Sequence, residues 1–370
     1  MPPEALRDVV VAGGGPAGLA VAAAAAARGL DVVVLERGSL PADKACGEGL
    51  LPAGLGALEE LGALKRVPEA DRAPIRAIRW IDGGGAFAEA ALPGPAAGIR
   101  RTALSAALLA QARAAGAEVR ERTPLVAHRR GPGGVVAETP GGRFEARLLV
   151  AADGLASPVR EREGLSRPER GAARFGFRRH FALAPWSDRV EVHLGDGAEA
   201  YVTPAGAARV GVALLCEAAA RRPYQELLAG FPALAGRLAG ARHDSAPAGA
   251  GPLRREAAAR VRDRLVLVGD AAGFVDAISG EGLSLALAAA LDLARALPAA
   301  LARGAPAEAL REFERAQERR WRRYAAATHL LLWLARRPGA RRRAIAVAAR
   351  HPRALERMVA WAVGQGSGVG

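Results

Sequence analysis

Residues 8–36 read DVVVAGGGPAGLAVAAAAAARGLDVVVLE, and this stretch decides the fold. A short apolar run enters a glycine-rich turn, an alanine-rich helix follows, and a second apolar run ends on an acid, which is the pattern of a βαβ unit. Gly13, Gly15 and Gly18 stand at GxGxxG spacing, directly after the first strand and at the start of the helix. A dinucleotide-binding fingerprint requires this context.

The glycines and the terminal acid have separate roles in such a site. Gly13 permits a tight turn, Gly15 lets a pyrophosphate approach the backbone, and Gly18 lets the helix pack closely on the strand. The helix N-terminus supplies free N–H groups and a partial positive charge. Glu36 follows Gly18 by 18 residues and can accept hydrogen bonds from a ribose. The stretch therefore predicts an adenine dinucleotide, FAD or NAD, without a 2′-phosphate at this acid.

Length and composition exclude several classes of protein. A chain of 370 residues exceeds one ordinary core, so two closely packed domains are expected. The net charge of +14 comes almost entirely from arginine, which is typical of codon bias, and the aromatic content is 4%. No nucleic-acid partner is therefore expected. Cys46 and Cys216 are too few for a disulfide framework, a zinc site or an iron–sulfur cluster, so we expect no metal and a cytoplasmic location.

Three further segments combine apolar runs with polar residues. The loop KACGEG, residues 44–49, carries a cation, a thiol and an acid where an ordinary crossover has turn residues. Asp153 and Gly154 end one apolar run and begin the spacing DGxxSxxR, and Gly269 and Asp270 end another just before a long helix. The segment with Gly269 and Asp270, like the glycine fingerprint, ends a strand at a helix start, so these two sites are expected to face one extended ligand although they are far apart in sequence.

The rest of the chain predicts a second layer. Alternating residues 75–91 indicate a hairpin, four strand-like runs span residues 174–215, residues 118–129 and 134–137 indicate a strand pair, and the end is helical. The expected division is a FAD-binding domain in three parts (1–75, 93–170 and 259–305), a substrate-domain hairpin (76–92), the substrate domain (171–258) and a C-terminal helical region (306–370).

The ordered motifs resemble one enzyme superfamily. The glycine fingerprint with Glu36, the pair Asp153 and Gly154, and the pair Gly269 and Asp270 are similar to those of the FAD-dependent aromatic hydroxylases (group A flavin monooxygenases), whose relatives include the geranylgeranyl reductases. The resemblance covers nearly the whole chain. It implies an α/β fold with a Rossmann-like FAD-binding domain of the glutathione-reductase type, an inserted antiparallel β-sheet substrate domain and C-terminal helices.

The resemblance also implies roles for individual residues. Glu36 would hold the adenosine ribose and Asp270 the ribityl or pyrophosphate region, while the GEG of residues 280–282 would face the flavin edge where negative charge develops. Arg101 resembles the family's FAD-contacting arginine. Arg160 is either a phosphate contact or a surface charge, and the DGxxSxxR spacing favours the contact. The expected cofactor contacts are Gly13, Gly15, Pro16, Ala17, Gly18, Glu36, Arg37, Lys44, Arg101, Asp153, Gly154, Asp270, Gly280, Glu281 and Gly282.

The candidate catalytic residues are Cys46 and Glu48, in a loop that resembles the cysteine- and glycine-rich loop of the geranylgeranyl reductases. Cys46 is either a thiol that protonates a carbanion beside the flavin or a small packing residue. Glu48 is either a proton donor or base, or an ordinary acid at a helix N-terminus. His180 is expected to be a hydrogen-bonded or solvent-facing sheet residue rather than a catalyst.

The resemblance favours an NAD(P)H-dependent monooxygenase that uses O2, through a C4a-hydroperoxyflavin, to hydroxylate an apolar aromatic or phenolic substrate. NADPH or NADH would be a transient donor without a Rossmann site of its own. The alternative is a reductase of a prenyl or similar lipid C=C bond, and a minor third reading is a non-catalytic protein that binds prenylated partners. The substrate pocket is expected between the flavin and the sheet of residues 174–215, lined mainly by apolar side chains.

The basic C-terminal stretches, with Trp333 and Trp361 among arginines, allow two interpretations. One is a helical cap with a solvated basic face. We favour this interpretation because the arginine bias of the whole chain exaggerates any likeness to a membrane-binding segment. The other is peripheral contact with the inner face of a membrane.

Overall fold

The computed structural model describes residues 6–168 and 171–364. The strands are β1 (Arg7–Ala12), β2 (Val32–Leu35), β3 (Gly49–Leu50), β4 (Arg72–Ile81), β5 (Phe87–Ile99), β6 (Glu118–Arg120), β7 (Ala127–Gly131), β8 (Gly134–Thr139), β9 (Gly142–Ala151), β10 (Arg174–Ala182), β11 (Arg189–Leu194), β12 (Ala198–Pro204), β13 (Val210–Glu217), β14 (Arg242–His243), β15 (Ala248–Ala250), β16 (Arg255–Glu256), β17 (Val261–Arg262), β18 (Leu265–Leu267) and β19 (Gly273–Phe274). The helices are α1 (Pro16–Ala26), α2 (Pro52–Glu60), α3 (Arg101–Ala114), α4 (Pro158–Arg162), α5 (Tyr224–Ala229), α6 (Pro232–Leu238), α7 (Gly282–Ala302), α8 (Arg311–Ala335), α9 (Pro338–Arg350) and α10 (Pro352–Ala362). Single 3-10 turns include Gly269–Ala272 and Ala277–Ser279.

The first sheet contains the βαβ unit. Its described strands run in the order β17-β18-β9-β1-β2-β6, with the β7–β8 hairpin beside β9. β1 pairs in parallel with both β2 and β9, so Val9 lies opposite Val32 and Leu148. These residues are buried beneath the helices on one face of the sheet, and the alternate residues Val10 and Val33 are buried on the other face. The predicted Rossmann-like α/β fold of the first domain is confirmed.

The helices α1, α3 and α7 form the core on one side of this sheet. α7 has 21 residues and is apolar enough, on length and composition, to cross a membrane, but 56% of its apolar window is buried inside the fold. Its apolar composition therefore reflects packing against α1 and α2. Such a helix is typical of the centre of a two-layer domain.

The second sheet is mixed rather than purely antiparallel. Its described strands run β14-β10-β13-β12-β11-β4-β5-β3, with β15 beside β10. The four strands β10 to β13 form the expected antiparallel layer, but β11 pairs with β4 in parallel, with Val190 opposite Ile78. Parallel pairing arises because the chain between β4 and β11 crosses through the first domain instead of turning back directly.

Two local predictions need correction. Residues 118–129 form two strands, because the backbone turns at Arg122 with a φ of +53° and sends β6 to the first sheet and β7 to a hairpin. The helix expected near residues 55–64 is α2, which starts at Pro52 and is followed by Gly62 at a φ of +71°. Proline at the first helical position and a left-handed glycine beyond the end are ordinary helix boundaries.

The second sheet has two different faces. Its outer face packs on α5 and α6 through residues such as Val202 and Leu214. Its inner face turns towards the first domain and α8, with Tyr201 and Leu215 in that cluster. α9 and α10 pack on β5 at the end of the sheet. The cleft between the inner face and the first domain is where the sequence motifs meet.

Candidate cofactor and substrate site

The β1–α1 turn has the geometry of a phosphate-binding loop. Gly13 has a φ of +103°, and a Cβ there would lie 2.4 Å from the Ala152 carbonyl oxygen. A Cβ on Gly18 would lie 2.0 Å from the Gly13 carbonyl oxygen, whereas one on Gly15 would meet nothing within 4 Å. Two glycines are therefore required by packing, and the third leaves the backbone open. Pro16 begins α1, whose N-terminus has no side-chain cap, so its N–H groups can bind an anion.

Glu36 lies at the end of β2 and closes this loop. One carboxylate oxygen accepts the Gly14 N–H at 2.6 Å and the other accepts the Gly38 N–H at 2.9 Å. The side chain is 7% exposed. These bonds orient the carboxylate and leave lone pairs for a ribose, so the expected ribose contact stays a prediction.

The segment with Asp153 and Gly154 is mainly a structural turn. Asp153 accepts hydrogen bonds from the Ser157 hydroxyl at 2.6 Å and the Val159 N–H at 3.1 Å, and Gly154 has a φ of +87°. Arg160 is buried, and it donates to the carbonyl oxygens of Ala271 at 3.0 Å and Leu155 at 2.9 Å. The phosphate contact expected for Arg160 is therefore wrong. The guanidinium of Arg160 donates its hydrogen bonds to carbonyl groups of the protein itself. It therefore links the second motif, which contains Asp153, to the third motif, which contains Asp270.

The third motif lies against the first. A Cβ on Gly269, whose φ is +60°, would lie 2.8 Å from the Cβ of Ala17 in α1. Asp270 lies next to Gly269 in the cleft and is accessible to solvent. Desolvation by the surrounding protein raises the pKa of its carboxyl, and the positive charges of Arg101 and Lys44 lower it. Two helix starts that are far apart in sequence thus meet at one cleft, as predicted.

Arg101 is the first residue of α3, and its guanidinium is buried without a full set of partners. Its Nε and Nη1 make no hydrogen bond, although the residue is 6% exposed. It lies close enough to Asp270, Lys44 and Cys46 to lower the pKa of each. Because an orphaned buried donor costs about 1–3 kcal/mol, this position points to a ligand that supplies acceptors.

Lys44 extends the same cluster. Its ammonium is accessible, but desolvation lowers its pKa, and the charges of Arg101 and Arg37 lower it further while Glu36 and Asp270 raise it. Lys44 and Arg37 therefore lie within electrostatic range of both the first and the third motif. This placement supports their predicted contact with the cofactor.

The GEG segment forms the start of α7. Gly280 is left-handed with a φ of +70°, and the N-terminus of α7 has no side-chain cap. A Cβ on Gly282 would lie 3.0 Å from the Phe274 ring. Burial raises the pKa of Glu281 to about 7, opposed by Arg323. The open N–H groups of this helix would favour negative charge near it.

Cys46 lies in the cleft, and its loop is tied down by Glu48. The Cys46 Sγ accepts the Glu48 N–H at 3.3 Å, and burial raises the pKa of the thiol. Glu48 is 1% exposed with a φ of +62°. One of its oxygens accepts the Arg101 N–H at 2.7 Å and an Arg100 N–H at 3.0 Å, and the other faces His180 Nε2 at 2.6 Å.

These contacts decide between the two roles left open for Glu48. Burial alone would raise its pKa, but the donors His180, Arg100 and the Arg101 N–H outweigh burial and hold the pKa below its ordinary value. Glu48 is therefore a carboxylate at neutral pH with both oxygens occupied. It acts as the acid at the N-terminus of α3 and positions the loop, rather than donating a proton.

His180 is a hydrogen-bonded sheet residue, as expected from the sequence. It is fully buried, and its Nδ1 lies 3.0 Å from Arg178 Nη1, which can only donate. Nδ1 is thus an acceptor, and Nε2 carries the proton that it donates to Glu48. Arg178 also pairs with Asp43. The available signal was the alternation of Arg174, Arg178 and His180 on one face of an otherwise apolar strand, a pattern that indicates a buried polar layer.

Beside the buried polar layer of Arg174, Arg178 and His180, the inner face of the second sheet carries apolar side chains. Arg100 and Arg178 approach the cleft but are paired with Asp43 and Glu48, so they add little net charge. The partly accessible apolar side chains beside this face are Ile78, Trp80, Leu155, Val190, Ala213, Ala250, Phe274, Ala277, Leu331 and Leu332. These side chains pack together between the sheet and the segment of residues 277–282, where the apolar substrate pocket stays a prediction.

The residues present fit a flavin dinucleotide. Two helix N-termini have open N–H groups, the Gly15 backbone is accessible, and Arg101 has unpaired donors aimed at the same cleft. Among the residues that the structure describes, no group of three or more His, Cys, Asp or Glu side chains could hold a metal ion. The open N–H groups and the unpaired donors of Arg101 fit the phosphates and carbonyl oxygens of a flavin dinucleotide.

Comparison with known proteins agrees with this geometry. A family model described as FAD binding domain matches residues 7–328. The chain belongs to this FAD-binding family. The family model supports FAD as the cofactor and an FAD-dependent oxidoreductase as the class of enzyme.

The proteins similar in sequence include reductases and a monooxygenase, the rifampicin monooxygenase of Streptomyces venezuelae, which is 31% identical over 171 residues, 44% of this chain and 34% of that protein. The menaquinone reductase of Mycobacterium tuberculosis is 30% identical over 332 residues, which is 80% of this chain and 79% of that protein. Digeranylgeranylglycerophospholipid reductase 1 of Methanothermobacter thermautotrophicus is 28% identical over 327 residues, 83% of this chain and 81% of that protein. A geranylgeranyl bacteriochlorophyll reductase-like protein of Thermoplasma acidophilum has the same fold, with a TM-score of 0.78 at 19% identity, covering 93% of this chain and 91% of that one.

Proposed function

We propose that this FAD-binding protein is a reductase that saturates a carbon–carbon double bond of an apolar, isoprenoid-type lipid. The observation that carries the proposal is Cys46, a thiol in the cleft whose pKa burial raises, so it keeps its proton at neutral pH. Hydroxylation needs no thiol at this position, whereas saturation of a double bond needs a proton. The names of the two reductases similar in sequence support the same choice.

When bound, FAD in its reduced form would supply the hydride, and the chain supplies the rest. Gly13, Gly15 and Arg101 would hold the phosphates, and the start of α7 would face the ring. The apolar inner face orients the lipid and excludes water. Cys46 gives its S–H proton to the carbon that does not receive the hydride, so the double bond gains two hydrogens. The thiolate left on Cys46 takes a proton from solvent.

The positions of the neighbouring residues support this proton transfer. Arg101 and Arg178 lie near enough to lower the pKa of Cys46, so they stabilise the thiolate that the transfer leaves. Glu48 acts in the opposite direction but is paired with Arg100 and His180. The Glu48 N–H also contacts the sulfur directly. The loop therefore holds the thiol in one place and tolerates either protonation state.

The test is an anaerobic reaction of the FAD-loaded protein, reduced with dithionite, with a menaquinone and with a geranylgeranylated lipid. Mass spectrometry of the extracted lipids, after air has reoxidised any menaquinol to menaquinone, should show a gain of two hydrogens that is stable to this reoxidation and was formed without O2. Cys46→Ala should slow this product by about 10²–10⁴-fold, the usual contribution of a general acid. Cys216→Ala, which removes the buried cysteine on the outer face, is the matched control and should keep full activity.

The hydroxylase favoured by the sequence has its own signature in this assay. A product that forms only with O2 and gains one oxygen atom would overturn the reductase proposal. The expected donors NADPH and NADH stay predictions, and the dithionite reaction does not depend on them.

A further inference from the structure

The C-terminal helices carry an apolar surface that packing does not use. α9 and α10 bury Ile345 and Leu355 against β5, but other large apolar side chains on the helices point outward. These are Leu330 (46% exposed), Trp333 (47%), Val347 (58%), Met358 (46%) and Trp361 (46%), which we call the C-terminal face. Elsewhere in the described chain, Leu6, Phe87 and Val126 are the exposed large apolar residues. Exposed apolar side chains are thus concentrated in one helical region.

This region is also the most basic part of the chain. Residues 336–364 contain eight arginines and one glutamate, a net charge of +7 out of +14 for all 370 residues. Codon bias would spread arginine evenly and cannot explain half of the net charge in so short a segment. Arg336 pairs with Glu217 and Arg341 with Asp196. The other six arginines are exposed, and no carboxylate partner is recorded for them among the described residues: Arg337, Arg342, Arg343, Arg350, Arg353 and Arg357.

Helix α8 connects this surface to the apolar cluster on the inner face of the second sheet. Leu330 and Trp333 are three residues apart and lie on its exposed side. Their neighbours Leu331 and Leu332 pack instead in the inner-face cluster that contains Ile278. The same turn of helix therefore lies at the protein surface on one side and packs on the other side in the inner-face cluster, where the substrate pocket is proposed.

We propose that the C-terminal face docks the protein on an anionic lipid bilayer, with the tryptophans at the level of the headgroups and the arginines on their phosphates. Tryptophan beside arginine is the combination that interfacial helices use, and Arg337 already lies 4.6 Å from the Trp333 ring. A second copy of this chain is disfavoured as the occupant, because a symmetric contact would bring two segments of +7 together. The proposal deepens the proposed function by naming the bilayer as the source of the lipid.

The test is co-sedimentation of the FAD-loaded protein with vesicles of phosphatidylglycerol and phosphatidylcholine, compared with pure phosphatidylcholine. Binding should require phosphatidylglycerol and weaken as salt rises. Trp333→Gln with Trp361→Gln, and separately Arg342→Gln with Arg343→Gln, should each weaken the partition by about tenfold. Val126→Gln, at a site 47% exposed on the FAD-binding domain, should bind as the unmodified protein does. FAD content serves as the check that each variant folds.

Two results would overturn the docking proposal. One is partition that is equal for neutral and anionic vesicles or unchanged in both double variants. The other is a dimer in light scattering that the tryptophan double variant converts to a monomer, which would assign the face to a second copy.

The outcome can be separated from that of the proposed function. Vesicle binding needs no turnover. If the protein binds vesicles but reduces no isoprenoid, the docking proposal stands and only the proposed reaction is overturned. A short, water-soluble isoprenoid should be reduced equally by the unmodified protein and by both double variants. If these activities fall together, the face belongs to the fold rather than to a membrane.

Discussion

At the scale of single residues, Arg101 carries the most information about the ligand. The sequence places Arg101 at the start of α3, but only the folded structure shows that its Nε and Nη1 are buried without hydrogen-bond partners. A buried guanidinium without acceptors is a cost that the protein bears without its cofactor. The same atoms form charge-assisted hydrogen bonds when the phosphate or carbonyl oxygens of a ligand bind beside them.

Arg101→Met is therefore expected to weaken FAD binding by about 1.5–3 kcal/mol, the range for hydrogen bonds to a charged group. The apoprotein should be no less stable than the unmodified one, since those donors have no protein partner. Isothermal titration with FAD and thermal unfolding of the apoprotein measure both quantities. Arg113→Met, on the exposed end of the same helix, should leave the affinity unchanged. Loss of apoprotein stability in Arg101→Met would show that the guanidinium serves the fold.

At the scale of elements, Glu48 joins three parts of the structure. It belongs to the KACGEG loop, it caps the start of α3 through the Arg101 N–H, and it reaches His180 on β10. Its φ of +62° is unusual for a residue with a side chain and is maintained because these bonds over-determine it. This strain lies next to Cys46. It indicates that tertiary contacts, rather than the local backbone preference, determine the conformation of the loop.

This arrangement predicts a pH dependence. The pKa of Glu48 in the folded protein lies below its ordinary value of 4.5, so its contribution is complete above that pH and is lost as pH falls towards the folded value. Urea unfolding from pH 7 to pH 3 should show this loss. Glu48→Gln should lower stability at pH 7 by about 3 kcal/mol, because Arg100 and His180 lose their charged partner. The difference between the two proteins should shrink as pH falls below 4.5, and a constant difference would contradict the assignment.

At the scale of the whole molecule, a buried ion triad joins the second sheet to the segment before α7. Arg174 on β10 lies 2.6 Å from Glu199 and 2.9 Å from Asp276, and all three side chains are buried. Burial raises the pKa of both acids, although Arg174 opposes it. Asp276 also accepts the Ile278 N–H at 3.0 Å. The triad therefore fixes the wall of the pocket to the turn that leads into GEG.

Arg174→Met should destabilise the protein by about 3–5 kcal/mol, because it leaves two carboxyl groups buried without a counter-charge. The triple variant Arg174→Met, Glu199→Gln, Asp276→Asn should recover much of that stability, since no unpaired charge remains. Urea unfolding of the three proteins, with FAD content as a second readout, makes the comparison. If the triple variant is as unstable as the single one, the triad acts through shape rather than charge.

Local sequence was enough for the parts of the fold that depend on near neighbours. The βαβ unit and its glycines are short-range features, since a tight turn and a close helix crossing are decided within about thirty residues. Cys46 could also be singled out, because a thiol in a glycine-rich loop is unusual. The role of Arg160 was misjudged, because spacing does not reveal that the carbonyl groups of Leu155 and Ala271 surround it.

The amino-acid sequence by itself thus determined the dinucleotide fold, the order of its three motifs and the identity of the thiol loop. The tertiary structure decided the rest: the parallel pairing of β4 with β11, the partnership of Glu48 with His180 across 132 residues, and the orphaned guanidinium of Arg101. The physical reason is that burial and pairing are properties of distant segments brought together. The pKa of a side chain shifts, and a hydrogen-bond donor finds its partner, only when folding brings these distant segments into contact.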